Sequence, residues 1–294
     1  MKRILLFVAA VLFGVSACRK DELPDYGSGK QMDVSVSANI PAEMQLARSN
    51  DDPGAGDLVN RCIMEIYHLK GDAYEKYGDR EVVALNEKAA TFNVRLVAGQ
   101  TYKFVFWADN ANGNSGSSFT DNHYNTTDLA NVSIADVSTY TGNDDTRDAF
   151  FGMQEVTMDV AKELKVTLQR PFGQLNISTL DMAEIPDAGS KPTKVNLRFE
   201  SVYMAINLLT GELIGTPTAL NYSENVLLAG NGKLSVDYIF AKANEQYLAK
   251  FTMGFFNDGG ESVAAAYNFT DIPVQRNYKT NVSGNLLTKK ADVL

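Results

Sequence analysis

The alternation of apolar and polar residues at every second position, repeated in short runs between turn residues, most limits what this chain can become. In Asp33-Val34-Ser35-Val36-Ser37-Ala38-Asn39-Ile40 the apolar side chains fall on one side and the polar ones on the other. That is the pattern of a half-buried strand, and Pro41 stops it. Met64, Ile66 and His68 share one face of the next run, with Ile63, Glu65 and Tyr67 on the other. Val94 and Leu96 lead to a turn at Gly99-Gln100, after which Tyr102, Phe104, Phe106 and Ala108 alternate with Lys103, Val105 and Trp107. A strand carrying large apolar residues on both faces has to be covered on both, so this one is expected at the centre of a sheet. Leu164, Val166 and Leu168 form a further run. The second half repeats the habit at Leu175 and Ile177, at Val195, Leu197 and Phe199, at Leu234, Val236, Tyr238 and Phe240, and at Leu248, Phe251 and Met253. Beyond the first residues no helical periodicity stands out. Many short strands predict an all-β protein of two consecutive sandwiches, and pattern alone leaves a barrel open. Asn110 to Asn125, rich in Asn, Gly and Ser, reads as a long loop. The sandwiches are expected at residues 32–170 and 171–294, with the boundary close to Pro171.

Ahead of the first strand, Lys2 and Arg3 precede an almost wholly apolar segment, Ile4 to Val15, and small residues lead to Cys18. The segment falls short of the roughly 20 residues of a permanent membrane span, so residues 1–17 read as a signal peptide for export. The ending Val15-Ser16-Ala17-Cys18 resembles the lipobox of bacterial lipoproteins. That resemblance implies alkylation of the Cys18 thiol with diacylglycerol and acylation of the new amino terminus. One acyl chain holds only marginally, at about 0.8 kcal/mol for each buried methylene, whereas several make attachment stable. Residues 18–31, with Pro24, Gly27, Ser28 and Gly29, form a flexible tether. Asp is absent directly after Cys18, and Lys20-Asp21-Glu22 resembles the surface-export signal of Bacteroidetes lipoproteins. The expected location is the outer face of the outer membrane, reached through the lipid anchor.

The formal net charge is -9, and it becomes more negative once Lys2 and Arg3 leave with the signal. No Lys/Arg stripe of the kind that binds nucleic acid is present. With Cys18 lipidated, Cys62 has no partner for an internal disulfide and is expected to pack as a small apolar residue. His68 and His123 are the only histidines, and neither stands near another soft ligand in sequence. They read as a strand and a loop residue rather than a catalytic dyad or zinc site. Asn143, Asp144, Asp145 and Asp148 lack the alternation and closing glutamate of an EF-hand loop and read as a solvated acidic turn. Trp107, in the most apolar strand, is expected in the core rather than on a sugar. Gly230-Asn231-Gly232 reads as a turn and not as a phosphate loop. The reading is therefore of a protein that is not an enzyme, with no catalytic, cofactor-binding or metal-ligating residues assigned.

Five segments recur in order. They are Gly99 to Ala108, Asp145-Thr146-Arg147-Asp148-Ala149-Phe150-Phe151-Gly152, Arg170-Pro171-Phe172-Gly173-Gln174-Leu175-Asn176, Asn207-Leu208-Leu209-Thr210-Gly211, and Ile272 to Asn281. In this order they resemble the motifs of Bacteroidetes fimbrillin-like lipoproteins. The resemblance implies two transthyretin-like β-sandwiches, assembled into type V pili or displayed singly as adhesive surface modules. It further implies that Asp145 to Gly152 is a structural junction whose Phe150 and Phe151 enter the core. In such relatives a protease cuts after an arginine that follows the first strand, and a strand of another subunit fills the opened edge by β-strand addition. Arg48, in a polar turn-like stretch beyond Ile40, is the matching position here. After Thr288 the sequence has only Lys289-Lys290-Ala291-Asp292-Val293-Leu294 where polymerising relatives carry a further apolar strand. That departure favours a tip, accessory or anchoring role over a repeating shaft subunit. The expected partners are other pilus subunits or further copies of the chain, and a host or bacterial surface ligand. A glycan-binding lipoprotein of a polysaccharide-uptake system is the alternative, and a row of exposed aromatics on one loop face would favour it.

Overall fold

The computed structural model describes residues 29–41, 56–185, 190–227, 231–244 and 247–288. The first half contributes β1 (Gln31–Asn39), β2 (Arg61–Lys70), β3 (Ala73–Ala84), β4 (Ala89–Val97), β5 (Gln100–Asp109), β6 (Tyr124–Asn125), β7 (Val132–Ile134), β8 (Phe150–Met158) and β9 (Glu163–Thr167). The second contributes β10 (Phe172–Thr179), β11 (Lys194–Val202), β12 (Ala205–Asn207), β13 (Glu212–Ile214), β14 (Thr218–Asn225), β15 (Lys233–Phe240), β16 (Tyr247–Phe256), β17 (Ser262–Val274) and β18 (Lys279–Gly284). Helical segments among the described residues are single 3-10 turns. The fold is all-β, as the two-residue periodicity requires.

Each half is a sandwich of a three-stranded and a four-stranded sheet. In the first, β1 lies between β4, which is antiparallel to it, and β9, which is parallel. The order β3-β2-β5-β8 forms the facing sheet. Val34, Val36 and Ala38 meet Cys62, Met64, Ile66, Phe104 and Phe106 in the core between them. The second half repeats this strand for strand. There β10 lies between antiparallel β15 and parallel β18, and β14-β11-β16-β17 faces it. Leu175 and Ile177 pack there against Val195, Leu197, Phe199, Phe251, Met253 and Phe255. The β4–β5 connection, which crosses from one sheet of the sandwich to the other, turns at Gly99, whose φ of 79° is the left-handed conformation that glycine adopts without steric cost.

The strands that have no counterpart in the other half are insertions, β6 and β7 in the first sandwich, β12 and β13 in the second. They pair with one another, Ala205 opposite Ser133 and Ile206 opposite Val132, into a fifth sheet ordered β13-β12-β7-β6. The expected loop Asn110–Asn125 therefore runs into β6, because Tyr124 is buried edge-on against Trp107, with ring centroids 5.2 Å apart. A third core lies around this sheet. It joins Ile63 and Tyr67 of β2 and Val105 and Trp107 of β5 to Phe172, Val236, Tyr238 and Phe240 of the other half. This explains the two apolar faces of β5, which stands between β2 and β8 and serves one core with each face.

The family-like segments meet at this junction. Arg170, fully buried, donates from Nε and Nη2 to the two carboxylate oxygens of Asp148 at 2.5 Å each. Asn277 Oδ1 accepts from the Arg170 amide at 3.3 Å, and Arg276 Nη2 donates to Gly211 O at 2.6 Å. Phe150 enters the first sandwich core and Phe151 the junction core. A guanidinium buried beside a carboxylate in a fork geometry fixes relative orientation as well as charge. The recurring motifs are thus the parts that hold one half on the other.

Candidate functional site

The first strand and its surroundings are where the sequence placed assembly. Val34, Val36, Ala38 and Ile40 point into the core, while Asp33, Ser35 and Ser37 alternate outward as the period of two demands. Pairing to β4 runs the whole strand, from Gln31 opposite Val97 to Asn39 opposite Ala89. Pairing to β9 begins only at Ser35 opposite Glu163 and ends at Asn39 opposite Thr167. The strand is therefore not at an edge of its sheet. It stands in the middle of its layer, and its removal would open a slot bordered by two strands rather than a single edge. Before Ser35, the side of β1 turned away from β4 carries no partner strand among the described residues. A cleft of about 660 Å³ lies over this end of the layer, lined by Asp33 to Ser35 of β1, Asn93 to Arg95 of β4 and Ala161 to Glu163 at the start of β9. Arg95 and Asp33 pair across its floor at 3.1 Å, both largely exposed. A cleft of about 170 Å³ lies over the corresponding layer of the second sandwich, where β10 is paired with both β15 and β18.

Cys18, Lys20, Asp21, Glu22 and Arg48 lie outside the described residues. Cys62 is buried in the first core, and that burial pushes its thiol pKa up, so it stays protonated and unreactive.

The polar residues weighed for chemistry are dispersed. His68 Nε2 lies 2.9 Å from Gln100 Oε1, and its ring sits beside those of Tyr77 and Tyr102, which contact each other. His123 Nε2 lies 2.6 Å from Thr146 Oγ1, and Asp144 lies 3.5 Å from the same nitrogen. That trio has the composition of a nucleophile, base and orienting acid. The hydroxyl, however, gives its one proton to Asp144, so His123 Nε2 must be the donor to Thr146 Oγ1 and cannot act as its base. Burial first, then the Arg147 charge, lower the His123 pKa against the pull of Asp144. Asp144 instead caps the 3-10 turn through the Thr146 amide at 3.0 Å. Asp145 accepts from the Tyr238 hydroxyl, Asp148 binds Arg170, and Asn143 bonds to β14 and β15. The four residues of the acidic turn therefore aim at separate partners. Among the described residues no three His, Cys, Asp or Glu side chains gather as a metal-binding group. Trp107 is fully buried. The exposed large apolar side chains among the described residues are Leu58, Val137, Met153, Val160, Leu180 and Tyr278, with one aromatic among them and no row for a sugar to stack on.

Two groups escaped sequence reasoning. Asp181 is fully buried and gathers the Leu287 and Thr288 amides at 3.0 and 2.7 Å and the Thr288 hydroxyl at 2.8 Å, pinning the end of the second sandwich. Glu224 and Asp237, on adjacent parts of β14 and β15, converge inside that sandwich near Tyr140 and Tyr222. In sequence each is a single acid on a strand, and nothing local distinguishes it from a solvated one.

Among curated proteins none matches the chain. It is similar to the solved structure of a candidate adhesin of Bacteroides thetaiotaomicron, at 13% identity over 83% of this chain and 81% of that one, TM-score 0.48. It is similar to a candidate polysaccharide-binding protein of the same organism, at 11% identity over 85% and 90%, TM-score 0.49. It is also similar to a fimbrial assembly protein of Parabacteroides distasonis, at 9% identity over 89% and 94%, TM-score 0.46. Residues 26–293 match the model of a family of unknown function, DUF6562, and the chain belongs to that family.

Proposed function

We propose that this protein is a surface-anchored structural and adhesive lipoprotein of the fimbrillin-like kind. It is held to the outer membrane through lipidated Cys18 and directed outward by Lys20-Asp21-Glu22. Its two modules, residues 32–170 and 171–294, act through their surfaces and not by catalysis. Cleavage after Arg48 frees the first strand, and a strand from a neighbouring subunit takes its place, in a tip, accessory or anchoring position of a pilus.

One observation carries this reading. Among the described elements β1 alone precedes Arg48, while both of its neighbours, β4 and β9, come from the chain beyond it. A cut at Arg48 therefore turns β1 into a strand held only by main-chain hydrogen bonds and the burial of Val34, Val36, Ala38 and Ile40.

Limited trypsin digestion tests it. The expected result is a preferred cut at Arg48, followed by slow formation of oligomers that resist mild SDS. A cut product that stays monomeric, beside uncut protein of equal protease resistance, would show strand exchange to be the wrong mechanism.

A further inference from the structure

The two halves are also tied by one residue of the loop before β8. Asn143, at a φ of 52°, reaches across to the second sandwich. Its amide donates to Val236 O at 2.9 Å, its side-chain nitrogen donates to Asn225 O at 2.7 Å and Leu234 O at 3.0 Å, and its Oδ1 accepts from the Val236 amide at 2.7 Å. Asn143 thereby clasps β14 to β15. Next to it in the chain, Gly142 rests on the two carboxyls noted above. A methyl group in place of its hydrogen would stand 2.0 Å from Glu224 Oε2 and 2.5 Å from Asp237 Oδ1. Thus both acids press against the backbone of the clasp.

Asp237 accepts from the Tyr222 hydroxyl and from Ser235 Oγ, the latter at 3.1 Å. Glu224 is only 8% exposed, and neither of its oxygens makes a hydrogen bond of good geometry, although the Gly142 amide is turned toward it. The charged and titratable groups around the pair come from each packed element. The loop supplies Arg147, stacked 4.1 Å over the Tyr140 ring and 4.0 Å from the half-buried Asp144, and Asp145, which accepts from Tyr238. Tyr222 belongs to β14, and Lys194 of β11 stands at the mouth of a cleft that reaches Glu224. Two ionised carboxylates beside Arg147 leave a buried excess of one negative charge. One proton removes that excess, and a buried acid without a partner neutralises rather than stays charged.

We propose that Glu224 and Asp237 hold a single proton between them at neutral pH, and that losing it releases the Asn143 clasp, making the junction of the two halves a pH-sensitive latch. Burial first, then the Asp237 charge, raise the Glu224 carboxyl far above the usual carboxylate range. Burial also raises Asp237, against its hydrogen bonds from Tyr222 and Ser235 and the Arg147 charge. A raised carboxyl stabilises the fold fully below its unfolded value, and that contribution disappears as pH rises through the folded value. Across neutrality the unfolding constant should therefore grow by up to about tenfold for each pH unit.

Infrared spectroscopy of the full chain, with hydrogen exchange of the Asn143 and Val236 amides corrected for intrinsic rates, tests the latch. Expected are a protonated-carboxyl C=O band at pH 7 that vanishes in Glu224→Gln, and a pH-dependent opening of both amides that flattens in the same variant. No such band, its persistence in Glu224→Gln, or its loss on adding calcium at fixed pH would overturn the proposal, the last by showing that a cation and not a proton fills the site. Should Glu224→Gln fail to fold, Asp237→Asn carries the test. Removing the neighbouring charge should lower the pH midpoint of opening by at least one unit, and an unchanged midpoint would refute the shared proton.

Discussion

Deleting residues 1–48 removes β1 and leaves everything that flanks it. The loss can be sized from the structure. Val34, Val36 and Ile40 are 2%, 0% and 5% exposed, and each buried side chain of this size contributes about 1.5–3 kcal/mol. Together with Ala38 they contribute on the order of 6 kcal/mol, before the main-chain bonds to β4 and β9 are counted at about 1 kcal/mol each. Whole domains are stable by only about 5–15 kcal/mol. A first sandwich with an empty slot should therefore unfold, and a peptide spanning residues 29–41, added in trans, should refold it. Trp107 is the single tryptophan and is buried where the sandwich meets the junction sheet, so its emission reports on this half directly. The truncated chain should show red-shifted emission that the peptide reverses, whereas a peptide carrying Val36→Asp should fail, because a carboxylate would enter the core unpaired. Native emission and an unchanged melting temperature in the truncated chain, with no peptide binding, would refute the reasoning that β1 is an integral but replaceable strand.

Two further outcomes follow from the buried charges. Asp148→Ala takes the carboxylate away from the buried Arg170 guanidinium, so denaturant unfolding should show a loss of about 3–5 kcal/mol, while Asp148→Ala combined with Arg170→Met should recover much of it. At Asp181, burial favours the neutral acid, but the hydrogen bonds from Thr179, Thr288 and Leu287 outweigh it and hold the pKa below the usual range. The contribution of Asp181 is therefore present above the unfolded carboxylate value and lost as pH falls through the folded one. Asp181→Ala should cost about 2–4 kcal/mol at pH 7 and progressively less in acid, read from melting curves between neutral and acidic pH.

The central position of β5 was legible in the sequence because Val105 and Trp107 on one face and Phe104 and Phe106 on the other demand cover on both sides. The burial of Cys62 followed from similar local reasoning, and that of Phe150 and Phe151 from the family resemblance. The insertion sheet was not legible. β6, β7, β12 and β13 are two or three residues long, too short for a period to register, and they become strands only because distant segments bring them partners. The position of β1 within its layer escaped for the same reason, since a half-buried strand has one pattern whether its neighbours number one or two.

Alternation along the chain, a local property of side-chain volume and polarity, by itself determined that this protein is all-β and where β1, β2, β5, β10, β11, β15 and β16 run, while the two longest strands, β3 and β17, went unread. Only the tertiary structure decided which strands became neighbours, that the two sandwiches share a third core, and that Glu224 would meet Asp237 beneath Asn143. Those outcomes depend on contacts between residues far apart in sequence, and the free energy of such contacts is set by what surrounds them.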